Sequence, residues 1–405
     1  MNPFEKIYCR AFQFIFRAAL PILPYREPRE LESLEDVPAL LRKLEVRSVL
    51  LVTDGTLREA GLTAPLETLL ADNGIRCPVF DGVMPNPTVR NVEAARELYL
   101  REGCQALIAF GGGSSMDCAK AAGARIVYPR KSVNRMKGIL RVLRRLPPLI
   151  AVPTTAGTGS EVTLAAVITD SDRKHKYPIN SFALIPHYCV LDPTVTYTLP
   201  PAVTATTGMD ALTHAVEAYI GGSTTRETRS WAREAVRLIF ENIETADRDG
   251  TNFEPRKNML HAANRAGSAF SQSYVGYVHA VAHSLGGQYG VPHGLANAVL
   301  LPVVLEAYGT SAHKKLSELA EAAGLVSEGI SPAEGAGRFI AAVRELNRRM
   351  DIPEKLPGIQ REDIPLMARH AHREANPLYP VPKLMDAAEL EKLYYCVADW
   401  SEYGD

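Results

Sequence analysis

The alternation of short apolar runs with helical stretches in the first half of the chain is the feature that most restricts its fold. The segment 46–57, "VRSVLLVTDGTL", predicts a β-branched strand that ends at Asp54. Segment 97–120 predicts a helix, a strand, a glycine turn and a second helix, and segment 147–163 predicts another strand followed by a loop of small residues. Strands that alternate with helices pair in parallel, so we predict a Rossmann-like α/β domain over residues 46–198.

The strand pattern fades after "VLDPTVTYTLPP", and helical periodicity takes over. Long helices rich in alanine and leucine are predicted at 202–221, 225–246, 256–287 and 332–350. We therefore expect an all-α domain over residues 199–405, preceded in the chain by the α/β domain and by an apolar N-terminal extension at 1–45.

The composition limits the partners and the compartment. Of the 405 residues, 46% are hydrophobic and 22% are charged, and the formal net charge is -1. Such a chain can bury a large core but has no electrostatic field that would attract nucleic acid, so we expect no nucleic-acid partner. The six cysteines contain no C-x-x-C pair, which favours reduced thiols in a cytoplasmic protein.

The N-terminal residues 4–24 are rich in apolar side chains. Two arginines interrupt this run and two prolines end it, so it forms neither a signal-peptide core nor a span of about 20 apolar residues. The spacing predicts a helix that is apolar except for a narrow polar stripe, made of Lys6, Arg10, Gln13 and Arg17. Such a helix needs cover from its own chain or from a second subunit, as in a homodimer. Weak contact with a membrane surface is the alternative.

A basic run at 130–146, "RKSVNRMKGILRVLRRL", is the strongest cluster of charge in the chain. We interpret it as a solvated helix or hairpin of the α/β domain, with contact to a membrane or an anion as the alternative.

Three consecutive glycines, Gly111–Gly113, follow a predicted strand directly, and a predicted helix begins after them. Backbone N–H groups and the positive end of that helix can face a diphosphate, so the cofactor-binding candidates here are Gly112, Gly113, Ser114 and Asp117. The G-x-G-x-x-G fingerprint is incomplete, because Met116 stands at its last glycine. A tight strand-to-helix connection is the alternative interpretation.

A second loop, "PTTAGTGSE", offers the hydroxyl groups of Thr154, Thr155 and Thr158 on a glycine-rich backbone. Two such loops in one α/β domain favour a nucleotide. Asp54 stands at a strand end, where a carboxylate can accept hydrogen bonds from a ribose diol and repel a 2'-phosphate. It therefore favours NAD over NADP, although it could also only cap the turn.

Several histidines of the second half have the spacing of metal ligands. Asp210 and His214 are four residues apart and share one helix face, and His279 and His283 repeat this spacing. His293 lies between a proline and a glycine, as a ligand at a helix start would. One carboxylate and three imidazoles suit Fe²⁺, Zn²⁺, Ni²⁺ or Co²⁺. Ordinary core and capping histidines are the alternative.

Five sequence blocks together resemble the iron-containing, or group III, alcohol dehydrogenases. They are "GGGSSMDCAK", "VPTTAGTGSEVT", "DPTVTYTLPP", "GMDALTHAVEAY" and "HAVAHSLGGQYGVPHGLANAVLLP", with "PNPT" at 85–88 as a further match. The resemblance covers the chain from about residue 46 to its end. It implies a dinucleotide-binding α/β domain followed by an all-α domain, with the active site in the cleft between them.

The resemblance also assigns individual residues. It implies that the metal ligands are Asp210, His214, His279 and His293, and that His283 lies near the substrate and the nicotinamide. The positions that match the lining of the NAD(P) site are Asp54, Asn86, Gly113, Ser114, Thr154, Thr155, Thr158 and Lys176. Leu378 departs from the family, in which an arginine commonly follows the Asn-Pro pair.

The activity implied is hydride transfer between the nicotinamide C4 of NAD(H) and a small primary alcohol, diol or aldehyde. The cation expected is Fe²⁺, with Zn²⁺ as the alternative, and it would polarise the substrate oxygen while His283 passes a proton. Alternatives on the same fold are a glycerol-dehydrogenase-like polyol oxidoreductase and a dehydroquinate synthase. A metallohydrolase and a non-catalytic scaffold that uses the Asp/His site remain further alternatives.

Overall fold

The chain forms two compact units in the computed structural model, which describes residues 1–171 and 175–400. One unit is Pro24–Tyr197. The other combines Met1–Leu23 with Thr198–Asp405, so helix α1 (Pro3–Ala19) belongs to the same unit as the C-terminal half of the chain.

The unit Pro24–Tyr197 is built on a six-stranded parallel sheet. The strands are β1 (Arg29–Leu31), β2 (Val49–Val52), β3 (Val79–Phe80), β4 (Ala106–Gly111), β5 (Gly138–Ile139), β6 (Leu149–Pro153), β7 (Ala165–Asp170), β8 (His175–Asn180) and β9 (Tyr188–Val190). The helices are α2 (Asp36–Lys43), α3 (Gly55–Glu59), α4 (Ala64–Asp72), α5 (Val89–Arg101) and α6 (Gly113–Val127). The main sheet has the order β1-β9-β6-β4-β2-β3, and β5-β8-β7 form a small second sheet.

Both faces of the central strands are covered, which explains their continuous apolar sequences. Leu107 and Ala109 of β4 pack in one core with residues of α5 and α6. Ala106 and Ile108 of the same strand face the opposite core, which contains residues of α2 and α4. Parallel sheets need helices on both faces, and this arrangement confirms the prediction of an α/β domain with a parallel sheet.

Two segments of this unit differ from the sequence-based expectations. Residues 24–45, expected in the N-terminal extension, supply edge strand β1 and helix α2, because the backbone of Arg29–Leu31 pairs with β9. The basic run at 130–146 is neither a helix nor a hairpin. It contains a single 3₁₀ turn and the short strand β5, and its apolar residues Val133 and Met136 are buried in the core of the unit.

The second unit is helical, as predicted. After α1 it contains α7 (Pro201–Ile220), α8 (Arg226–Arg248), α9 (Phe253–Ser273), α10 (Tyr277–Tyr289), α11 (His293–Tyr308), α12 (His313–Ala322), α13 (Pro332–Arg349), α14 (Ile364–Ala375) and α15 (Ala387–Val397). None of the helices in the described ranges combines the length and the apolar character needed to cross a bilayer.

The helix expected at 256–287 is interrupted between α9 and α10. Tyr274 adopts a positive φ of 62°, and α10 begins only after Gly276. A Cβ atom on Gly276 would lie 2.6 Å from Oε1 of Glu217 on α7, so any larger residue would displace that carboxylate. The break places His279 in the first turn of a new helix rather than in the middle of a long one.

Helix α1 is attached to the helical unit through residues of its polar stripe, whereas a usual amphipathic helix packs through its apolar side. Gln13 is buried and donates from Nε2 to the carbonyl oxygens of Pro377 and Tyr379, and Arg10 donates to those of Val381 and Pro382. The polar stripe therefore anchors the helix. Its apolar side chains remain exposed in this chain, among them Phe4, Ile7, Tyr8, Phe14 and Ile15.

We predict that Gly294→Ala destabilises the helical unit while Gly287→Ala does not. A Cβ at Gly294 would lie 2.5 Å from the carbonyl oxygen of Thr206 on α7, and backbone cannot move aside cheaply. We expect a loss of about 1–3 kcal/mol in the free energy of unfolding, measured by thermal or denaturant unfolding. Gly287 has open space around its Cβ position, so alanine there should leave the melting temperature unchanged or raise it. Equal effects of the two substitutions would contradict the packing described.

Candidate functional site

The two glycine-rich loops lie at the carboxyl ends of neighbouring parallel strands. Gly111 of β4 pairs with Pro153 of β6, and the Thr154 N–H donates to the Gly111 carbonyl over 3.1 Å. The predicted loop residues Gly112, Gly113 and Thr154 therefore lie close together. In open α/β sheets this edge is where ligands bind.

The first loop has the properties of a phosphate cradle. Helix α6 begins at Gly113, and its N-cap residue Gly112 has no side chain to cap it, so its first N–H groups can face a ligand. A Cβ on Gly111 would lie 2.5 Å from Ser115 Oγ, and one on Gly113 would lie 3.2 Å from Thr158 Cγ2. Gly113 thus keeps the space between the two loops open, and Gly111 lets the chain turn tightly into α6. A loop of this shape fits a dinucleotide diphosphate.

Asp117, a predicted cofactor residue, contacts the second loop and the strand that follows it. Its Oδ1 accepts from Ser160 Oγ over 3.1 Å and its Oδ2 accepts from the Val167 N–H over 2.9 Å. Lys120, one turn later, is fully buried and donates to oxygen atoms of Ser160 and Thr163 at 2.6–3.1 Å. The sequence analysis missed Lys120, although its spacing from Asp117 places both on one face of α6.

Three other predicted cofactor residues, Asp54, Asn86 and Lys176, lie in the same unit, Pro24–Tyr197. Asp54 follows β2, the strand beside β4, and its Oδ1 caps α3 by accepting from the Leu57 N–H over 3.0 Å. Lys176 on β8 donates to Asn86 Oδ1 over 2.6 Å, and Asn86 has a φ of 57°. Asp54 therefore does cap its turn, while its half-buried carboxylate remains at the edge where a ribose would bind.

A second candidate site lies in the helical unit, where three helices bring four predicted ligands together. Asp210 and His214 come from α7, His279 from α10 and His293 from α11, and one ligand atom of each lies within 4.8 Å of all the others. Asp210 Oδ1 is 3.5 Å from His293 Nε2 and 3.9 Å from His279 Nε2. His293 is the exposed member, whereas the other three are buried.

These spacings suit a single metal ion. Two ligand atoms that each lie about 2.1 Å from one ion are about 3.0–3.4 Å apart, close to the separations found here. Burial, with the neighbouring histidines, lowers the pKa of His279 well below its ordinary value. His279 is therefore a neutral imidazole at physiological pH, with a lone pair to offer, as a metal ligand requires.

Glu217, three residues after His214, fixes the orientation of His279. It is fully buried, and its carboxylate lies 2.6 Å from His279 Nδ1 while it accepts the N–H groups of Gly276 and Val278, each over 2.8 Å. Burial raises its pKa to about 7 against these hydrogen bonds. The contact directs His279 Nε2 towards Asp210 and His293.

His283 lies beside the four predicted ligands and outside the group that they form. Its Nδ1 is 2.6 Å from Glu374 Oε1, and its ring stacks on that of His293 with centroids 5.2 Å apart. Tyr379 donates to the same Glu374 oxygen over 2.8 Å. Burial acts to raise the pKa of Glu374, but the charge and hydrogen bond of His283 lower it overall. The half-exposed His283 is thus held in one orientation next to the predicted metal ligands.

Comparisons with known proteins agree with this geometry. A sequence model described as "Iron-containing alcohol dehydrogenase" matches residues 29–193, and one described as "Fe-containing alcohol dehydrogenase family, C-terminal" matches residues 204–397. The 1,3-propanediol dehydrogenase of Klebsiella pneumoniae is 41% identical, over 82% of this chain and 86% of that protein. The NAD-dependent methanol dehydrogenase of Bacillus methanolicus is 34% identical, over 89% of this chain and 95% of that protein.

Solved structures of alcohol and aldehyde oxidoreductases also resemble this chain. A crystal structure of a 1,3-propanediol oxidoreductase has a TM-score of 0.88 and 37% identity, covering 92% of this chain and 98% of that chain. The sulfoacetaldehyde reductase of Bifidobacterium kashiwanohense, solved in complex with NAD+, has a TM-score of 0.83 and 28% identity, covering 93% and 98%. Residues 1–28, including α1, lie outside both matches to the sequence models.

We predict that Glu217→Gln weakens divalent metal binding about 10–100-fold, because an amide cannot hold the His279 Nδ1–H as a carboxylate does. Glu374→Gln is the matched control, since Glu374 lies at the same 2.6 Å from a histidine, His283, that is not among the predicted ligands. Competition with a chelator of known affinity gives the metal dissociation constants. Equal metal affinity in both variants would show that Glu217 does not support the metal site.

Proposed function

We propose, since the chain belongs to the iron-containing alcohol dehydrogenase family, that it is a metal-dependent, NAD(H)-linked alcohol dehydrogenase and aldehyde reductase. The observation that carries the proposal is the convergence of one carboxylate and three imidazoles, in a chain that also has an uncapped, glycine-lined helix start at the edge of a parallel sheet. A metallohydrolase would need the first feature and leave the second without a role.

A bound divalent cation supplies Lewis acidity to an alcohol or carbonyl oxygen, and a bound nicotinamide exchanges the hydride at its C4. Asp210, His214, His279 and His293 would hold the cation, and Glu217 keeps His279 in the required orientation. The His283–Glu374 pair holds a proton on Nδ1, so Nε2 is the atom at which His283 would accept and return the substrate proton.

The substrate class follows from the relatives. Their names specify 1,3-propanediol, methanol and 1-propanol, all of them small primary alcohols. We propose a small primary alcohol or diol and its aldehyde as the substrates of this chain. The direct test is turnover of a panel of such alcohols and aldehydes with NAD(H) and NADP(H) after loading with Fe²⁺ or Zn²⁺. Absence of turnover in protein that binds both metal and nucleotide would refute the activity.

Two histidine variants separate metal binding from proton transfer. His279→Ala removes a ligand atom, so we expect loss of both bound metal and activity. His283→Ala should retain the metal and NAD binding but lose about 10²–10⁴-fold in rate, with a flatter pH profile. Metal content and kcat of the purified variants decide the point. Loss of metal from His283→Ala with retention in His279→Ala would reverse the two roles.

We propose NAD as the preferred dinucleotide and Fe²⁺ as the resident cation, with Zn²⁺ as the alternative. Asp54 supports the first choice, because its carboxylate would repel a 2'-phosphate. The nitrogen and oxygen donors, with no thiolate among them, are compatible with Fe²⁺.

Asp54→Ser tests the dinucleotide preference. Serine can keep the cap on α3 while the charge is lost, so the fold should be preserved. We expect the ratio of kcat/KM for NADP to that for NAD to rise at least about tenfold, or about 1.4 kcal/mol. An unchanged ratio in a variant of normal stability would remove Asp54 from the cofactor site.

The exposed apolar side of α1 bears on the oligomeric state of the protein. Five of its side chains are more than 60% exposed, namely Phe4, Ile7, Tyr8, Phe14 and Ile15. Together they present on the order of 800 Å², which exceeds the apolar patches of ordinary monomers and matches one side of a standard protein interface. We propose that a second copy of the chain covers this face in a homodimer. Weak contact with a membrane surface is the alternative.

Charged substitutions on α1 distinguish these partners. The double variant Phe4→Glu, Phe14→Glu should convert a dimer of 44.3 kDa chains into monomers in light-scattering measurements. Leu143→Glu is the control, because Leu143 is 72% exposed on the other unit and should leave the mass unchanged. A monomeric wild type that co-sediments with anionic vesicles through α1 would favour the membrane instead.

We also propose a cytoplasmic location. None of the six cysteines takes part in a disulfide in the part of the chain that the structure describes, and four of them are buried. Cysteines kept as thiols in this number are typical of a reducing compartment.

A further inference from the structure

Helix α1 contacts the segment of the chain that follows Glu374, the residue that holds His283. Gln13 is buried, and its Nε2 donates to the carbonyl oxygens of Pro377 over 3.2 Å and of Tyr379 over 2.8 Å. Tyr379 in turn donates its hydroxyl proton to Glu374 Oε1 over 2.8 Å, and the same oxygen lies 2.6 Å from His283 Nδ1. Hydrogen bonds on both sides of Tyr379 therefore connect α1 to His283.

Ring contacts lead from α1 to the same tyrosine. The ring of Phe16 packs edge-on against that of Tyr274, with centroids 5.0 Å apart, and the Tyr274 ring lies 6.3 Å from the Tyr379 ring. Tyr379 is only 7% exposed, so the groups packed around it determine where its ring lies. Helix α1 thus holds the backbone of Tyr379 and also packs against the ring beside it.

The Tyr379 hydroxyl is suited to hold the Glu374 carboxylate. Burial and the neighbouring carboxylate raise the pKa of Tyr379 well above its ordinary value, so the hydroxyl stays protonated and donates. Glu374 is then held by Tyr379 as well as by His283. The orientation of a histidine ring depends on the partner of its Nδ1, so a carboxylate that is itself fixed also fixes the imidazole.

Other residues attach α1 to the unit without Tyr379. Arg10 donates to the carbonyl oxygens of Val381 over 2.7 Å and of Pro382 over 2.9 Å. The ammonium group of Met1 lies 2.5 Å from Asp386 Oδ2. Because these contacts lie farther along the chain, a substitution of Gln13 can break the connection to Tyr379 while α1 stays in place.

We propose that α1 positions the proposed proton-transfer histidine, acting through Gln13, Tyr379 and Glu374 on His283. The inference rests on the role of His283 proposed above. Gln13 and Tyr379 are positioning residues and need no contact with the substrate. Residues 1–28 lie outside both matches to the family models, so α1 is an addition of this chain to the matched region. It acquires a role in the reaction besides its role in assembly.

The first test compares Gln13→Leu and Tyr379→Phe with the wild type, as full chains loaded with the cation that supports turnover. We expect kcat to fall about tenfold in each, because a displaced proton-transfer group slows the reaction. Metal content and the KM for the dinucleotide should not change. Arg17→Met is the matched control, since Arg17 belongs to the same polar stripe one turn later but is exposed, and its kcat should equal that of the wild type. Tyr379→Phe removes only a hydroxyl group and decides the point if Gln13→Leu does not fold.

Combined variants show whether the effect passes through His283. In a His283→Ala background, Gln13→Leu and Tyr379→Phe should cause no further loss of kcat, because residues that act through one group are not additive. A further tenfold loss in that background would refute the positioning role, since Gln13 would then affect the rate by another route.

Crystal structures of the variants test the positioning without turnover. We expect the contact between Glu374 and His283 to lengthen, or the His283 ring to turn, in Gln13→Leu and Tyr379→Phe but not in Arg17→Met. An unchanged contact in both variants overturns the inference, whatever their kcat.

The outcomes separate this inference from the function on which it rests. A metal-loaded wild type without turnover refutes the proposed activity, and the crystal structures then still decide whether α1 positions His283. Normal kcat in His283→Ala refutes the role of that histidine and with it the inference. Normal kcat in Gln13→Leu and Tyr379→Phe, with a slow His283→Ala, refutes the inference alone.

Discussion

The buried carboxylate of Glu217 is the contact on which the helical unit depends. It accepts the first N–H groups of α10, excludes any side chain at Gly276 and orients His279, all from a position on α7. A buried carboxylate without hydrogen-bond partners would be strongly destabilising. Glu217 takes its partners from the start of α10 and from His279, so the position of this helix start and the position of His279 are coupled. The group that accepts the first N–H groups at the start of α10 therefore also orients His279, one of the proposed metal ligands.

The sequence predicted the parts of the site that short-range spacing determines. Asp210 and His214 share a helix face, and the glycines after β4 indicate a phosphate cradle, because these relations need only the helix period and a strand end. It missed Glu217, although this residue lies three positions after His214 and so continues a stripe at helical spacing from a predicted ligand. Glu374 had no such signal, because its contact with His283 spans 91 residues of the chain.

The sequence predicts the strands that are buried on both faces. It predicts less well the helices whose ends or orientation depend on a contact with one side chain. The strands β2, β4 and β6 are apolar throughout and could be recognised from composition alone. The prediction of a single helix at 256–287 was wrong, because the sequence does not show that the Glu217 carboxylate lies opposite Gly276. Helix α1 was recognised, but its polar stripe faces the protein, because the backbone carbonyls of residues 377–382 accept hydrogen bonds from Arg10 and Gln13.

The distribution of the ligands over α7, α10 and α11 has a thermodynamic consequence. These residues are up to 83 positions apart in the chain, from Asp210 to His293, so an ion held by them would act as a cross-link that the unfolded chain cannot reproduce. Free cation would then stabilise the native state by mass action, and the melting temperature would rise with metal concentration. The supply of metal in the cell would in this way affect the fraction of the protein that is folded as well as its activity.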